Sequence, residues 1–257
     1  MASIRIGAQL YSVRQHCKTP EDLAESMRKV ADIGYSAVQL SGQGPMDPQD
    51  IARAAEQAGV EIAATHVKWQ RLLDEPDAVI AEHKLWGCRH PAIGGLPVQF
   101  TGDGTDIDAW LAELPAVAER LAAAGMDFSY HNHNHELVRV DGRTWLELLY
   151  EKAAPEDLKA EIDTYWIQAG GGDPAAYLRA CAGREPIVHF KDMVITPQRE
   201  QRFAPVGEGN LNWPAILDAC KAGGVEYAFV EQDQCYEQDP FDALAVSYRN
   251  LKKMGLE

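Results

Sequence analysis

Short apolar runs alternate with longer amphipathic stretches along the whole chain, and glycine or proline separates most of them. Ile4 to Leu10 reads as a first strand. Thr19-Pro20-Glu21-Asp22 then supplies an N-cap, a proline at the first helical position and acidic residues in the first turn. That helix is predicted to run to about Ile33 and stop at Gly34. The same alternation continues with strands at Tyr35–Leu40, Val60–Thr65, Cys88–Ile93, Met126–Tyr130, Leu158–Ile162, Pro186–Phe190 and Tyr227–Val230. Helices are predicted after Asp47-Pro48, Glu75-Pro76, Ile107, Thr144, Asp173-Pro174, Asn212-Trp213-Pro214 and Asp239-Pro240. Leu96–Asp106 is expected to be a long loop, and a second long polar loop is expected after Phe190.

Strand–helix alternation argues for a parallel sheet covered by helices. Eight such units in one chain of 257 residues match a closed (β/α)₈ barrel. An open doubly wound sheet usually carries a glycine-rich phosphate turn after its first strand. Gln9-Leu10-Tyr11-Ser12-Val13 stands there instead, so the barrel is preferred, with residues 1–257 as a single domain.

Composition narrows the function classes. Hydrophobic residues make up 46% and charged residues 25%, ordinary for a globular protein. The formal charge of −15, with no cluster of Lys and Arg, argues against a nucleic-acid partner. No run approaches the length needed to span a bilayer, and Met1 to Arg5 shows no leader pattern. The cysteines, Cys17, Cys88, Cys181, Cys220 and Cys235, are odd in number and form no CxxC pair. A disulfide framework is therefore not expected, and a reducing cytoplasm is the simplest compartment.

The densest chemistry lies in Tyr130-His131-Asn132-His133-Asn134-His135-Glu136. If Phe128 and Tyr130 face packing helices, the two-residue strand period turns Ser129, His131 and His133 to the opposite face. In a barrel the strand C-termini share one rim, where active sites sit. Those ends carry His66, His131/His133/Glu136, Asp163, His189/Lys191 and Glu231/Asp233, with Gln9, Tyr11 and Gln39 near the first two. Asp163 also suits a local capping bond, and Trp69 and Trp166 suit either packing or an apolar wall for a sugar. Carboxylates and imidazoles without thiolate suit one divalent ion: Mn²⁺, Mg²⁺, Co²⁺ or Zn²⁺. Such an ion can stabilise the enediolate formed when a proton leaves the carbon beside a carbonyl.

Five segments in order carry a family resemblance: Tyr130-His131-Asn132-His133 with Glu136, Glu161-Ile162-Asp163-Thr164-Tyr165-Trp166, His189-Phe190-Lys191-Asp192, Val206-Gly207-Glu208-Gly209 and Val230-Glu231-Gln232-Asp233. Together they resemble the sugar phosphate isomerase/epimerase family of the xylose isomerase-like TIM barrels. The resemblance implies a divalent ion held at the ends of strands five to eight, with Asp163, His189 and Glu231 as ligands. The fourth ligand is normally a glutamate, and His131 stands at its place. Glu136 is the candidate for the missing carboxylate, as ligand and as acid/base partner of Glu231. His66, His133, Lys191, Gln9 and Trp166 are the candidate substrate contacts.

The implied activity is isomerisation or epimerisation of a sugar, keto-sugar or sugar phosphate. The alternative is a lyase, such as an inosose dehydratase or a keto-glycoside eliminase, which shares the first proton abstraction. The superfamily also contains endonuclease IV, but its Asp-x-x-His on strand six is Asp163-Thr164-Tyr165-Trp166 here, without the histidine. A small carbohydrate is thus the expected partner, and self-association into a homo-oligomer stays open.

Overall fold

Helices begin where the sequence sets a side-chain acceptor ahead of proline. The Thr19 hydroxyl accepts from the Asp22 amide, and the Asp22 carboxylate accepts from the Thr19 amide, which starts Pro20–Ile33. Asp47, Asp173, Asn212 and Asp239 cap Pro48–Ala58, Pro174–Ala180, Trp213–Gly223 and Pro240–Lys253 in the same manner. Gly59 and Gly224 close two of these helices in the left-handed conformation, which glycine adopts without a Cβ penalty.

The computed structural model describes residues 3–95 and 107–256; the expected Leu96–Asp106 loop lies outside the described residues. Eight strands follow in chain order. They are β1 Arg5–Gln9, β2 Ala37–Leu40, β3 Glu61–His66, β4 His90–Ile93, β5 Ser129–His131, β6 Lys159–Asp163, β7 Ile187–Phe190 and β8 Tyr227–Val230. All neighbours pair in parallel and β1 joins β8, so the sheet closes into a (β/α)₈ barrel.

The two-residue period sorts side chains between two cores. Val38, Ile62, Phe128, Tyr130, Ile162, Val188, Phe190, Ala228 and Val230 join the large outer cluster under the helices. Ala37, Ala63, Ile187, Tyr227 and Phe229 form a smaller cluster inside the barrel. A Cβ on Gly7 would sit 2.5 Å from the Phe229 ring, so glycine is required for that ring to fill the lumen. At the strand N-termini Arg5, Tyr227 and Glu61 close the lumen with an ion pair and hydrogen bonds of 2.6–2.9 Å. Above the apolar layer the lumen turns polar, with Gln9, Gln39, Glu161, Asp163, His189 and His131 all buried.

The structure adds elements to the expected alternation. Leu10–His16 is a 3₁₀ segment, and Trp69–Asp74 and Thr164–Ala169 are short helices. The polar stretch after β7 is an antiparallel hairpin of Asp192–Ile195 and Gln201–Ala204, where a loop was expected. Its base is fixed by Asp192, whose buried carboxylate accepts from the amides of Met193, Gly207, Gly209 and Leu211 and from the Trp213 indole. The five cysteines are free. No helix among the described residues is long and apolar enough to cross a membrane.

Candidate metal centre and substrate cavity

Register brings the polar ends of four strands together. Asp163 on β6 pairs with His189 on β7, and His131 on β5 pairs with Glu161 on β6. Glu231 follows β8 directly. One donor atom each from His131, Asp163, His189 and Glu231 lies within 4.8 Å of the others. Asp163 Oδ2 is 3.1 Å from His131 Nε2 and 3.7 Å from His189 Nδ1, and that nitrogen is 2.8 Å from Glu231 Oε2. The other Asp163 oxygen accepts from the Trp166 amide at 3.0 Å and caps Thr164–Ala169. Asp163 is therefore a cap through one oxygen, while the other faces the group.

Lys191 completes the charge balance. Its ammonium is 3.1 Å from Asp163, 2.9 Å from Glu231 and 2.9 Å from Asp233, under the Trp166 ring. Burial works against charged carboxylates, yet Lys191, His131 and His189 hold Asp163 well below the usual range. Glu231 is lowered against the same burial penalty by Lys191 and His189. Burial, and then the neighbouring His189, lowers His131 to about 4, so its imidazole is neutral at pH 7. His133 is lowered to about 3, by burial first and then by His131 and Lys191.

These donors fit a divalent cation. Ligands at about 2.0–2.2 Å from an ion stand roughly 3 Å apart in tetrahedral or octahedral geometry. The separations of 2.8, 3.1 and 3.7 Å bracket that value. His189 Nδ1 is buried 2.8 Å from Glu231 Oε2, yet the pair is not aligned for a hydrogen bond. A buried nitrogen left unsatisfied between two carboxylates suits a shared ion.

A cavity of about 580 Å³ opens beside the group. It is bordered by His131 and Glu231 of the group, with Tyr11, His66, Trp69, His133, Trp166, Lys191 and Asp233 around it. That size is typical of small-molecule sites. A Cβ on Gly94 would meet the His66 ring at 2.8 Å, so glycine lets the end of β4 close against this histidine.

A family model for xylose isomerase-like TIM barrels matches residues 27–239. The chain belongs to the xylose isomerase-like TIM barrel family. The rhizopine catabolism protein MocC of Rhizobium meliloti is 26% identical, over 91% of this chain and 80% of its own length. Two solved structures, each of a sugar phosphate isomerase/epimerase from Parabacteroides distasonis, share the fold. One has a TM-score of 0.82 at 20% identity, covering 99% of this chain and 96% of its own. The other has 0.80 at 25% identity, covering 97% and 98%.

Within this family fold, two expected site residues stand elsewhere. Glu136 does not join the four-donor group. Its Oε1 accepts from the Tyr130 hydroxyl at 2.5 Å, and its Oε2 accepts from the His133 amide at 2.9 Å. Tyr130 faces the helices with Trp110 and Trp145, so a side chain bound to its hydroxyl is held away from the lumen. Gln9 does not border the cavity. It lies fully buried, donating to Gln39 at 2.8 Å and accepting from the Tyr11 amide at 3.1 Å. His66, His133, Lys191 and Trp166 do border it. Trp69 does as well, while packing on Trp110 and Phe128.

Sequence reasoning passed over Glu161. It is wholly buried in the lumen, 2.6 Å from His189 Nε2 and 3.3 Å from His66 Nε2. The signal was available: Glu161 precedes Asp163 by one strand period and so shares its face.

Proposed function

We propose that this chain is a divalent-metal-dependent enzyme that moves a proton at the carbon beside a carbonyl of a sugar-like substrate. The observation that carries this reading is the four-donor group on the border of the cavity. His131, Asp163, His189 and Glu231 would hold the ion. When bound, the cation supplies positive charge against the negative charge that develops on the substrate's carbonyl oxygen.

The side chains divide the remaining work. Glu231 is kept ionised at neutral pH by Lys191 and His189 and borders the cavity, so its carboxylate is placed to accept a proton from carbon, although the same cations weaken it as a base. The Lys191 ammonium is held charged by Asp163, Glu231 and Asp233 against its burial, and it adds a second positive charge at the cavity wall. His133 Nδ1 and Trp166 Nε1 are buried polar atoms without hydrogen-bond partners among the described residues, and both residues border the cavity, as does Asp233, whose Oδ1 is ion-paired to Lys191. Such a lining suits a ligand rich in hydroxyl groups. The Trp166 and Trp69 rings provide the apolar side that a sugar face covers.

Isomerisation or epimerisation is the first reading. Elimination from a keto-glycoside or cyclitol is the second, and the placement of Glu136 favours keeping it. A two-glutamate epimerase needs a second carboxylate facing the substrate, whereas Glu136 is committed to Tyr130 and His133. Elimination needs one base and one acid, roles that Glu231 and the His66 imidazole are placed to fill at the cavity.

The test is incubation of the metal-loaded protein in D₂O with keto-sugars and 3-keto-glycosides. Deuterium entering the carbon beside the carbonyl is expected. A released aglycone or water marks elimination, and conserved mass marks isomerisation or epimerisation. Absence of both deuterium uptake and elimination product with all of these substrates, in protein shown to hold metal, would overturn the reading.

A further inference from the structure

We infer that Glu161 is a positioning residue that fixes the tautomer of His189 and so sets the strength of the metal centre. This rests on the metal reading above and assigns a role to a side chain outside the four donors.

The argument starts from the lumen. Gln39 on β2 donates through its amide to Glu161 Oε1 at 2.7 Å. Its amide oxygen accepts from the Gln9 amide at 2.8 Å and lies 2.5 Å from His189 Nε2. A flipped Gln39 would set an amide against the amide of Gln9 and an oxygen against a carboxylate. Its orientation is therefore determined from both sides. His189 Nε2 then faces two acceptors, the Gln39 oxygen at 2.5 Å and Glu161 Oε1 at 2.6 Å. With only acceptors in reach, Nε2 carries the proton. Nδ1 faces the carboxylates of Asp163 and Glu231, so it is the nitrogen whose proton a bound ion would displace, leaving the Nε2 proton in place.

A carboxylate behind the N–H of a ligating imidazole locks the ring and raises its basicity. Loss of such a partner typically weakens metal binding by about 10–100-fold. Glu161 also holds His66, which borders the cavity, so the same carboxylate orients one candidate ligand and one candidate substrate contact.

Zn²⁺ affinity measured by competition with a chelator tests this on the full chain. Glu161→Gln is nearly isosteric and removes only the charge. It is expected to weaken Zn²⁺ binding by about 10-fold or more. The thermal midpoint of the metal-stripped variant gives the control for folding. Nitrogen-15 NMR of histidine-labelled, Zn²⁺-loaded protein should show His189 protonated at Nε2 in the native chain. If Glu161→Gln does not fold, Gln39→Met removes the neutral acceptor and should weaken Zn²⁺ several-fold. Native-like affinity in a folded Glu161→Gln, or Nε2 bound to the metal in the native protein, would overturn the assignment of Glu161 alone. No Zn²⁺ binding by the native chain would overturn the metal reading as well.

Discussion

Of the three groups of metal-capable side chains among the described residues, the third being His66, Glu161 and His189, two differ most in how the chain assembles them. His131, Asp163, His189 and Glu231 come from the ends of four strands and meet inside the barrel. His133, His135 and Glu136 come from one turn and lie together because they are neighbours in sequence. In the first cluster His189 Nδ1 is buried between two carboxylates without an aligned hydrogen bond. In the second, Glu136 is satisfied by Tyr130 and His133, and His135 stands half exposed at 3.2 Å from it. Local density of histidines in a sequence is thus a poor guide to a centre. Convergence of strand ends, with polar atoms left over after local bonding, is a better one.

Substitutions in the barrel cluster should have the largest effects. Glu231→Gln keeps volume and removes the proposed base, so turnover is expected to fall by about 10²–10⁴-fold. Asp163→Ala should abolish tight metal binding, because it removes a charged donor that also neutralises Lys191. Addition of metal at 100-fold above its Kd should stabilise the native protein by about 2.7 kcal/mol. The same addition should leave the Asp163→Ala midpoint unchanged. Equal metal-induced shifts in both proteins would erase the distinction between the clusters.

Much of the scaffold was legible because its signals are local. Thr19-Pro20, Asp47-Pro48, Asp173-Pro174 and Asp239-Pro240 announce helix starts by cap chemistry alone, and all four helices begin there. The hairpin after β7 was not legible. Its strands are only four residues each and stand outside the strand–helix alternation, and its anchor is the single Asp192 carboxylate reaching residues distant in sequence. Asp163 and His189 could be placed at strand ends from apolar runs. Their shared register, and the part played by Glu161, follow from pairing between strands that no single stretch encodes. Glu136 was misplaced for the opposite reason. Nearness in sequence suggested nearness to the ion, whereas the outward face of Tyr130 draws it to the other side of the wall.

Glu136→Gln probes the loop cluster and should act on stability more than on metal binding. A glutamine can accept from the His133 amide and donate to the Tyr130 oxygen, so a change within about 1 kcal/mol is expected at pH 7. Its pH dependence has a defined sign. Burial raises the Glu136 pKa above its ordinary value. The folded state therefore favours the protonated acid, and the native protein loses that contribution as pH rises through the folded pKa. The glutamine variant does not ionise, so its stability relative to native should improve from pH 4 to pH 7 in urea titrations. A relative loss over that range would mean that Glu136 works as a charge, as the barrel carboxylates do.

His135→Ala should have the smallest effect. The ring stacks on His133 at 5.6 Å and touches the Glu136 carboxylate, but it is half exposed and screened by solvent. With one partner half exposed to solvent, the pair is expected to contribute no more than about 1 kcal/mol. Zn²⁺ affinity is expected to stay within about two-fold of native, inside the scatter typical of surface substitutions. A second ion lost on His135→Ala, counted by elemental analysis of the fully loaded protein, would instead mark the loop as a centre in its own right. The barrel cluster would then be one of two metal sites, and the contrast between distant and neighbouring ligands would fail at its simplest point.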